Sequence, residues 1–205
     1  MQARLIRAAN RLLRAVAPAV LVLAASAASA GPMSTLDRQR LVAHLEMTSA
    51  WLIDELSELS PEQLAFRPTP TSWSIMEVLD HLVVVGPIYW QDLQNALKTP
   101  PGRETTNRDV DLLWYGIDRG APEKAIPTEV PSGKTRSLAA MLADYRRAHA
   151  RLLDYARTTT DDLRAHYVAR QGCDAYQWAL LISTHEQRHI LQIRQINASA
   201  AFPKR

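Results

Sequence analysis

The sequence predicts an all-α fold: a single four-helix bundle with one long crossover segment between its second and third helices. Three observations predict it. Four stretches carry apolar residues at the 3.6-residue spacing of a half-buried helix. Capping pairs, Ser74 with Glu77 and Asp174 with Gln177, stand immediately before two of them. Alternating strand patterns are nearly absent.

Residues 1–30 read as a signal peptide rather than as part of the fold. Arg4, Arg7, Arg11 and Arg14 form a basic start, Ala15 to Ala25 an apolar run, and Ala28-Ser29-Ala30 a small-x-small cleavage site. The run is too short to span a membrane, and no cysteine follows the site to carry a lipid anchor. The expected location is the periplasm or the exterior; the competing reading is a cytoplasmic protein that starts at Met33. Taking those four arginines from the 24 basic residues leaves 20 against 21 acidic ones, so the remaining chain is close to neutral. Without a basic patch or basic-aromatic interleaving, nucleic acid is not expected as a partner.

The bundle is expected over residues 34–198, followed by a short tail over 199–205. Its first helix runs from about Thr35 to Leu59, with Leu41, Leu45, Thr48, Leu52 and Leu56 at turn spacing, and stops at Ser60-Pro61. His44 lies off that stripe, at the surface or behind the site. Ser60-Pro61-Glu62-Gln63 reads as a short capped turn and Arg67 to Ser72 as loop. The second helix begins at Ser74 and continues to about Lys98, with a bend expected at Gly86-Pro87. Between Thr99 and Arg136 the chain is rich in Pro, Gly and charge, with one short helix over Arg108 to Ile117 carrying Trp114 and Tyr115. A connection this long is commonly a lid or binding loop, and in an up-down-up-down bundle it is the crossover. The third long helix starts near Ser137; His149 and His166, among Arg and Asp residues, read as solvated surface. The fourth starts at Asp174. Cys173, the lone cysteine, excludes a disulfide within the chain. Its place at a helix start would acidify it somewhat, and about 18 Å of helix separates it from His185.

The last helix carries the chemistry. His185 and His189 stand one turn apart on the same face, with ring nitrogens able to converge on one ion. Trp178, Leu181, Ile182 and Ile196 place that stripe inward, where an imidazole needs a hydrogen bond or a ligand. A shared divalent metal satisfies both rings; core histidines bonded to backbone or to Glu and Gln side chains are the competing reading. His81 shares an apolar face with Val78, Val85 and Ile88 and is the expected third metal ligand. The segment also spells H-E-x-x-H, the zincin pattern. No Asp, Glu or His follows His189, however, and Gln192 and Gln195 occupy the metzincin Gly and His positions. A third ligand must therefore come from upstream. Glu186 is the nearest candidate catalytic base, about 100° of helix from His185.

Two blocks resemble a known family. Arg67-Pro68 followed by Ser72-Trp73-Ser74-Ile75-Met76-Glu77-Val78-Leu79-Asp80-His81-Leu82, and His185-Glu186-Gln187-Arg188-His189-Ile190-Leu191-Gln192-Ile193, are similar to the motifs of the DinB/YfiT-like bundles. That resemblance, over roughly Thr35 to Asn197, implies one divalent metal ion, zinc or nickel, held by His81, His185 and His189, with open coordination positions for water or substrate. It also implies a role for Gln192 beside His189, and frequently a homodimer. Relatives include thiol-cofactor-dependent transferases and isomerases; such thiols are cytosolic, which conflicts with export. Two functions follow as expectations: a metal-dependent hydrolase or transferase acting on a small molecule, its pocket covered by Trp114 and the crossover, or a non-catalytic metal-binding or sensing module. A plain helical interaction domain with core histidines is the third.

Overall fold

A computed structural model describes residues 32–102, 105–120 and 123–204; the expected signal peptide lies outside them. Six helices, α1 (Thr35–Ser57), α2 (Pro61–Ala65), α3 (Ile75–Leu97), α4 (Asp109–Ile117), α5 (Leu138–Thr158) and α6 (Ala175–Asn197), make an all-α bundle. A two-residue antiparallel pair, β1 (Tyr167–Val168) and β2 (Cys173–Asp174), lies between α5 and α6, where no strand was expected. None of these helices is long and apolar enough to cross a membrane.

The helix boundaries follow from local chemistry. Ser34, Ser74, Ser137 and Asp174 accept backbone N–H groups in the first turns of α1, α3, α5 and α6, satisfying donors that have no partner within the helix. Glu77 and Gln177 return the bond and complete capping boxes; the short α2 has the same device in Ser60 and Gln63. Leu41, Leu45, Thr48, Leu52 and Leu56 are all buried, as the stripe on α1 requires. Helix α3 contains Pro87. A Cβ at the neighbouring Gly86 would stand 3.3 Å from that of Ala148, so α3 and α5 approach closely there.

The four long helices do not follow an up-down-up-down ring. Helix α1 packs on α5 and α6, and α3 packs on α5 and α6, so α1 and α3 lie across one diagonal and α5 and α6 across the other. A two- to five-residue loop forces consecutive helices to be antiparallel neighbours. The connections here are longer: residues 58–74, with α2 packed on α3, and residues 159–174, with the β1–β2 turn, are long enough to cross the end of the bundle. The segment between α3 and α5 joins adjacent helices instead, and its length serves to lay α4 against α6.

Two apolar clusters fill the interior. One holds Leu41, Leu45, Val85, Leu93, Leu152 and Trp178; the other holds Leu52, Leu56, Leu79, Met141, Ile190 and Ile193. On α1, α5 and α6 the residues between the two clusters are polar: Thr48, His149, Ser183, His185, Glu186 and His189. With His81 on α3 they form a polar layer across the bundle, and every member needs a partner there.

Candidate metal centre

The capping box of α3 fixes the helix start so that His81 falls two turns in, on the face that also buries Val78 and Val85. The capping box of α6 sets His185 and His189 in register opposite it. His81 Nε2 lies 3.3 Å and His189 Nε2 3.1 Å from His185 Nε2. The three rings thus offer nitrogens that all lie within 4.8 Å of one another.

Hydrogen bonds on the far side of two rings decide what those nitrogens present. His81 Nδ1 is 2.5 Å from the backbone carbonyl of Glu129. A carbonyl only accepts, so the ring proton sits on Nδ1 and the Nε2 lone pair points inward. His189 Nδ1 likewise donates to Gln192 Oε1 at 2.8 Å. The His81 and His189 lone pairs both face His185 Nε2, which either donates to one of them or shares a cation with both. Metal–nitrogen bonds of about 2.0–2.1 Å place tetrahedral donors about 3.3 Å apart and neighbouring octahedral donors about 2.9 Å apart, a range that contains both observed separations. Burial drives the rings to the neutral form that binds metal: His81 falls to about 4 against the raising charge of Asp80, His185 falls to about 3, and His189 is held well below its ordinary value, with adjacent rings adding to the effect on the last two. Spacing, tautomer and charge all fit one divalent ion.

The cluster faces a cavity of about 790 Å³. Trp73 lies over His81 and His189, with ring centroids 5.1 and 6.4 Å away, and Tyr89 stands 5.5 Å from His185. Tyr89 is itself braced from behind, since its carbonyl accepts the indole N–H of the fully buried Trp178 at 2.9 Å. The Tyr89 hydroxyl donates to Glu129 Oε2 at 3.3 Å, and the other oxygen of Glu129 pairs with Arg170, on the turn between β1 and β2. Glu129 therefore serves twice, orienting His81 through its carbonyl and lining the cavity through its carboxylate. Its segment is pinned by buried Asp80, which accepts Ser132 N–H at 2.6 Å and the Ser132 hydroxyl at 2.8 Å.

Several expected positions are placed elsewhere. Glu186, the candidate base, does not line the cavity: it turns toward α1 and α5, where Thr48 donates to it at 2.9 Å and Tyr145 also donates. Burial pushes its carboxyl up to about 8. The hundred degrees of helix separating it from His185 turn it to a different face of α6, away from the cavity lining. His149 is not solvated surface; its side chain is 9% exposed, 3.6 Å from Glu186, and burial lowers it to about 4. His44 bonds Ser183 at 2.6 Å, part of the same polar layer. Trp114 does not cover the pocket, being 62% exposed, whereas Tyr115 lines it. Cys173 is not acidified: burial pushes its thiol up to about 12, although it lines the cavity. Glu129, Arg170 and Tyr89 were not anticipated, and the only hint of the first was the length of the crossover that carries it.

A helical bundle whose long helices follow diagonals, with three histidines at the dimensions of a divalent-metal site, defines the class of protein. The chain belongs to the DinB superfamily, whose family model matches residues 44–193. It is 29% identical over 149 residues to the uncharacterized protein YuaE of Bacillus subtilis (strain 168), a match spanning 70% of this chain and 88% of YuaE. The solved structure of YfiT from Bacillus subtilis, described as a probable metal-dependent hydrolase with an unusual four-helix bundle topology, is similar with a TM-score of 0.56 at 18% identity. The match covers 83% of this chain and 91% of that one. At that identity the likeness establishes the fold.

Proposed function

We propose that the protein is a metal-dependent hydrolase or transferase acting on a small molecule bound in the cavity before His81, His185 and His189. The observation that carries this reading is the pair of outward hydrogen bonds, from His81 to Glu129 and from His189 to Gln192, that turn Nε2 lone pairs toward a common point open to the cavity. A divalent ion held there, zinc or nickel by the resemblance, would supply Lewis acidity and lower the pKa of a bound water toward about 7. The chain's own groups do the rest. Trp73 and Tyr89 supply apolar walls and exclude bulk water from the rings. The Glu129 carboxylate, held by Tyr89 and Arg170, is the acceptor available to a proton released in the cavity. That YfiT is described as a probable metal-dependent hydrolase supports the same reaction class.

The test is a hydrolase and transferase substrate screen of the protein purified without chelator, with metal content measured on the same sample. Turnover that disappears in His81→Ala together with the metal supports the reading; turnover retained by a metal-free variant refutes it. The second reading, a metal-binding module without catalysis, draws on the fact that the three ligands join α3 to α6. It predicts strong metal-dependent stability with a blank screen. Export through residues 1–30 stands as a proposal tested by N-terminal sequencing of the native protein; if the chain is instead cytoplasmic, a thiol-cofactor-dependent transferase becomes the favoured member of the reaction class.

A further inference from the structure

The cavity walls hold more positive than negative side chains: Arg108, Arg119, Lys124, Arg170 and Arg188 against Asp111, Glu123 and Glu129. The carboxylates are engaged. Glu129 pairs with Arg170, Asp111 stands 4.0 Å from Arg108, and the charge of Glu123 acts on the Tyr115 phenol, adding to the rise that burial gives it. Arg188 is structural, donating to the carbonyls of Tyr115 at 3.1 Å and of Asp118, where α4 ends. Arg119 differs. Its Nε and one terminal nitrogen share a single neutral acceptor, Gln195 Oε1, each at 3.3 Å. Its planar fork is thus oriented by long bonds to a carboxamide, beside a second guanidinium whose charge, with burial, makes its own charge less favourable. The histidines add no negative charge, and a divalent ion among them would add two positive ones. A neutral occupant leaves this charge unmatched; an anion answers it.

We propose that Arg119 anchors an anionic group, a carboxylate or a phosphate, of the molecule that occupies this cavity. The proposal rests on the reading of the cavity as a substrate site and names the class of substrate. A guanidinium suits the task because it offers two parallel N–H donors to two oxygens of one anion, which a lysine does not. Anion binding would exchange the weak bonds to Gln195 for charge-assisted ones, beside His189, whose ring feels the charge of Arg119.

The test is calorimetric titration of wild type, Arg119→Gln and Arg119→Lys with inorganic phosphate, acetate and neutral acetamide in low-salt buffer. Each is measured on chelator-treated protein and again after loading with cobalt, whose stoichiometry is determined separately. The expected result is that phosphate or acetate binds wild type, that Arg119→Gln weakens it at least tenfold and Arg119→Lys less, and that acetamide does not bind; the better of the two anions identifies the group. Equal anion affinity in wild type and Arg119→Gln overturns the proposal, as does absence of anion binding to wild type up to about 50 mM. Because the metal-free titration does not depend on the ion, failure to bind cobalt would sink the metalloenzyme reading and leave the anion site standing. Retained cobalt without an Arg119 effect would do the reverse. Matching melting curves establish that each variant is folded, and Arg119→Lys keeps the comparison available should the glutamine variant fail.

Discussion

Stripping the protein with chelator and returning zinc or nickel measures directly what the three histidines contribute. Two of the donor separations, 3.1 and 3.3 Å, already match neighbouring ligands of one ion. In the unfolded chain His81 and His185 are 104 residues apart and offer no comparable set. An ion that binds only the folded state stabilises it by RT ln(1 + [M]/Kd), about 4 kcal/mol at a thousandfold excess over Kd. For a domain of this size each kcal/mol moves Tm by about 2–4 °C, so a rise of about 8–16 °C is expected. His81→Ala leaves a two-nitrogen site on one helix, and the rise should shrink to less than about 3 °C. Glu186→Gln should keep the full rise, because that side chain faces α1 and α5. Melting by circular dichroism, with metal content measured by mass spectrometry on the same samples, reads all three proteins. A wild-type protein that shifts by less than about 2 °C and carries well under one ion per chain would refute the reasoning and return the rings to ordinary core histidines.

Three further outcomes follow from particular contacts. His149 is kept neutral by burial at about 4, against 6.5 when unfolded. The unfolded chain therefore binds the proton first, and stability is lost as pH falls from about 6.5 toward 4. His149→Gln should abolish about 2 kcal/mol of the loss between pH 7 and 5 in urea titrations, and an unchanged pH profile would contradict this assignment. Asp80→Ala frees the Ser132 segment and with it the Glu129 carbonyl that orients His81; metal affinity should fall about tenfold with helix content unchanged, measured by competition with a chromophoric chelator. Gly116→Ala would put a Cβ 2.7 Å from Gln187 Oε1 and 3.1 Å from the Thr184 carbonyl oxygen. Displacing α4 from α6 in this way should cost about 1–3 kcal/mol in urea unfolding and speed amide exchange over residues 109–117.

Much of this site is legible in the chain because helical periodicity converts position into direction. The spacing of His185 and His189, the apolar company of His81 and the two capping boxes are local facts, and the structure places all three rings where those facts point. His149 was legible too: it stands four residues beyond Tyr145 and three before Leu152, both buried, and only the neighbouring Arg146, Arg147 and Arg151 disguise it as surface. Glu186 shows the limit of pattern reading, since H-E-x-x-H is a statement about sequence while the carboxylate's direction depends on the full turn of α6. The role of Glu129 has no local signature, because a backbone carbonyl 48 residues from His81 leaves no mark on composition or period.

By itself, the sequence determined that four amphipathic helices would form, where each would start, and where the main apolar stripe of each would lie, since these depend on hydrogen bonds and side-chain spacing within a few residues. Only the tertiary structure decided that α1 and α3 lie on a diagonal, that Glu186 meets Tyr145 rather than the cavity, and that Glu129, Arg170 and Arg119 meet around the histidines. A helix period states which way a side chain points; what stands opposite is set by the lengths of the connections and the packing of the whole bundle.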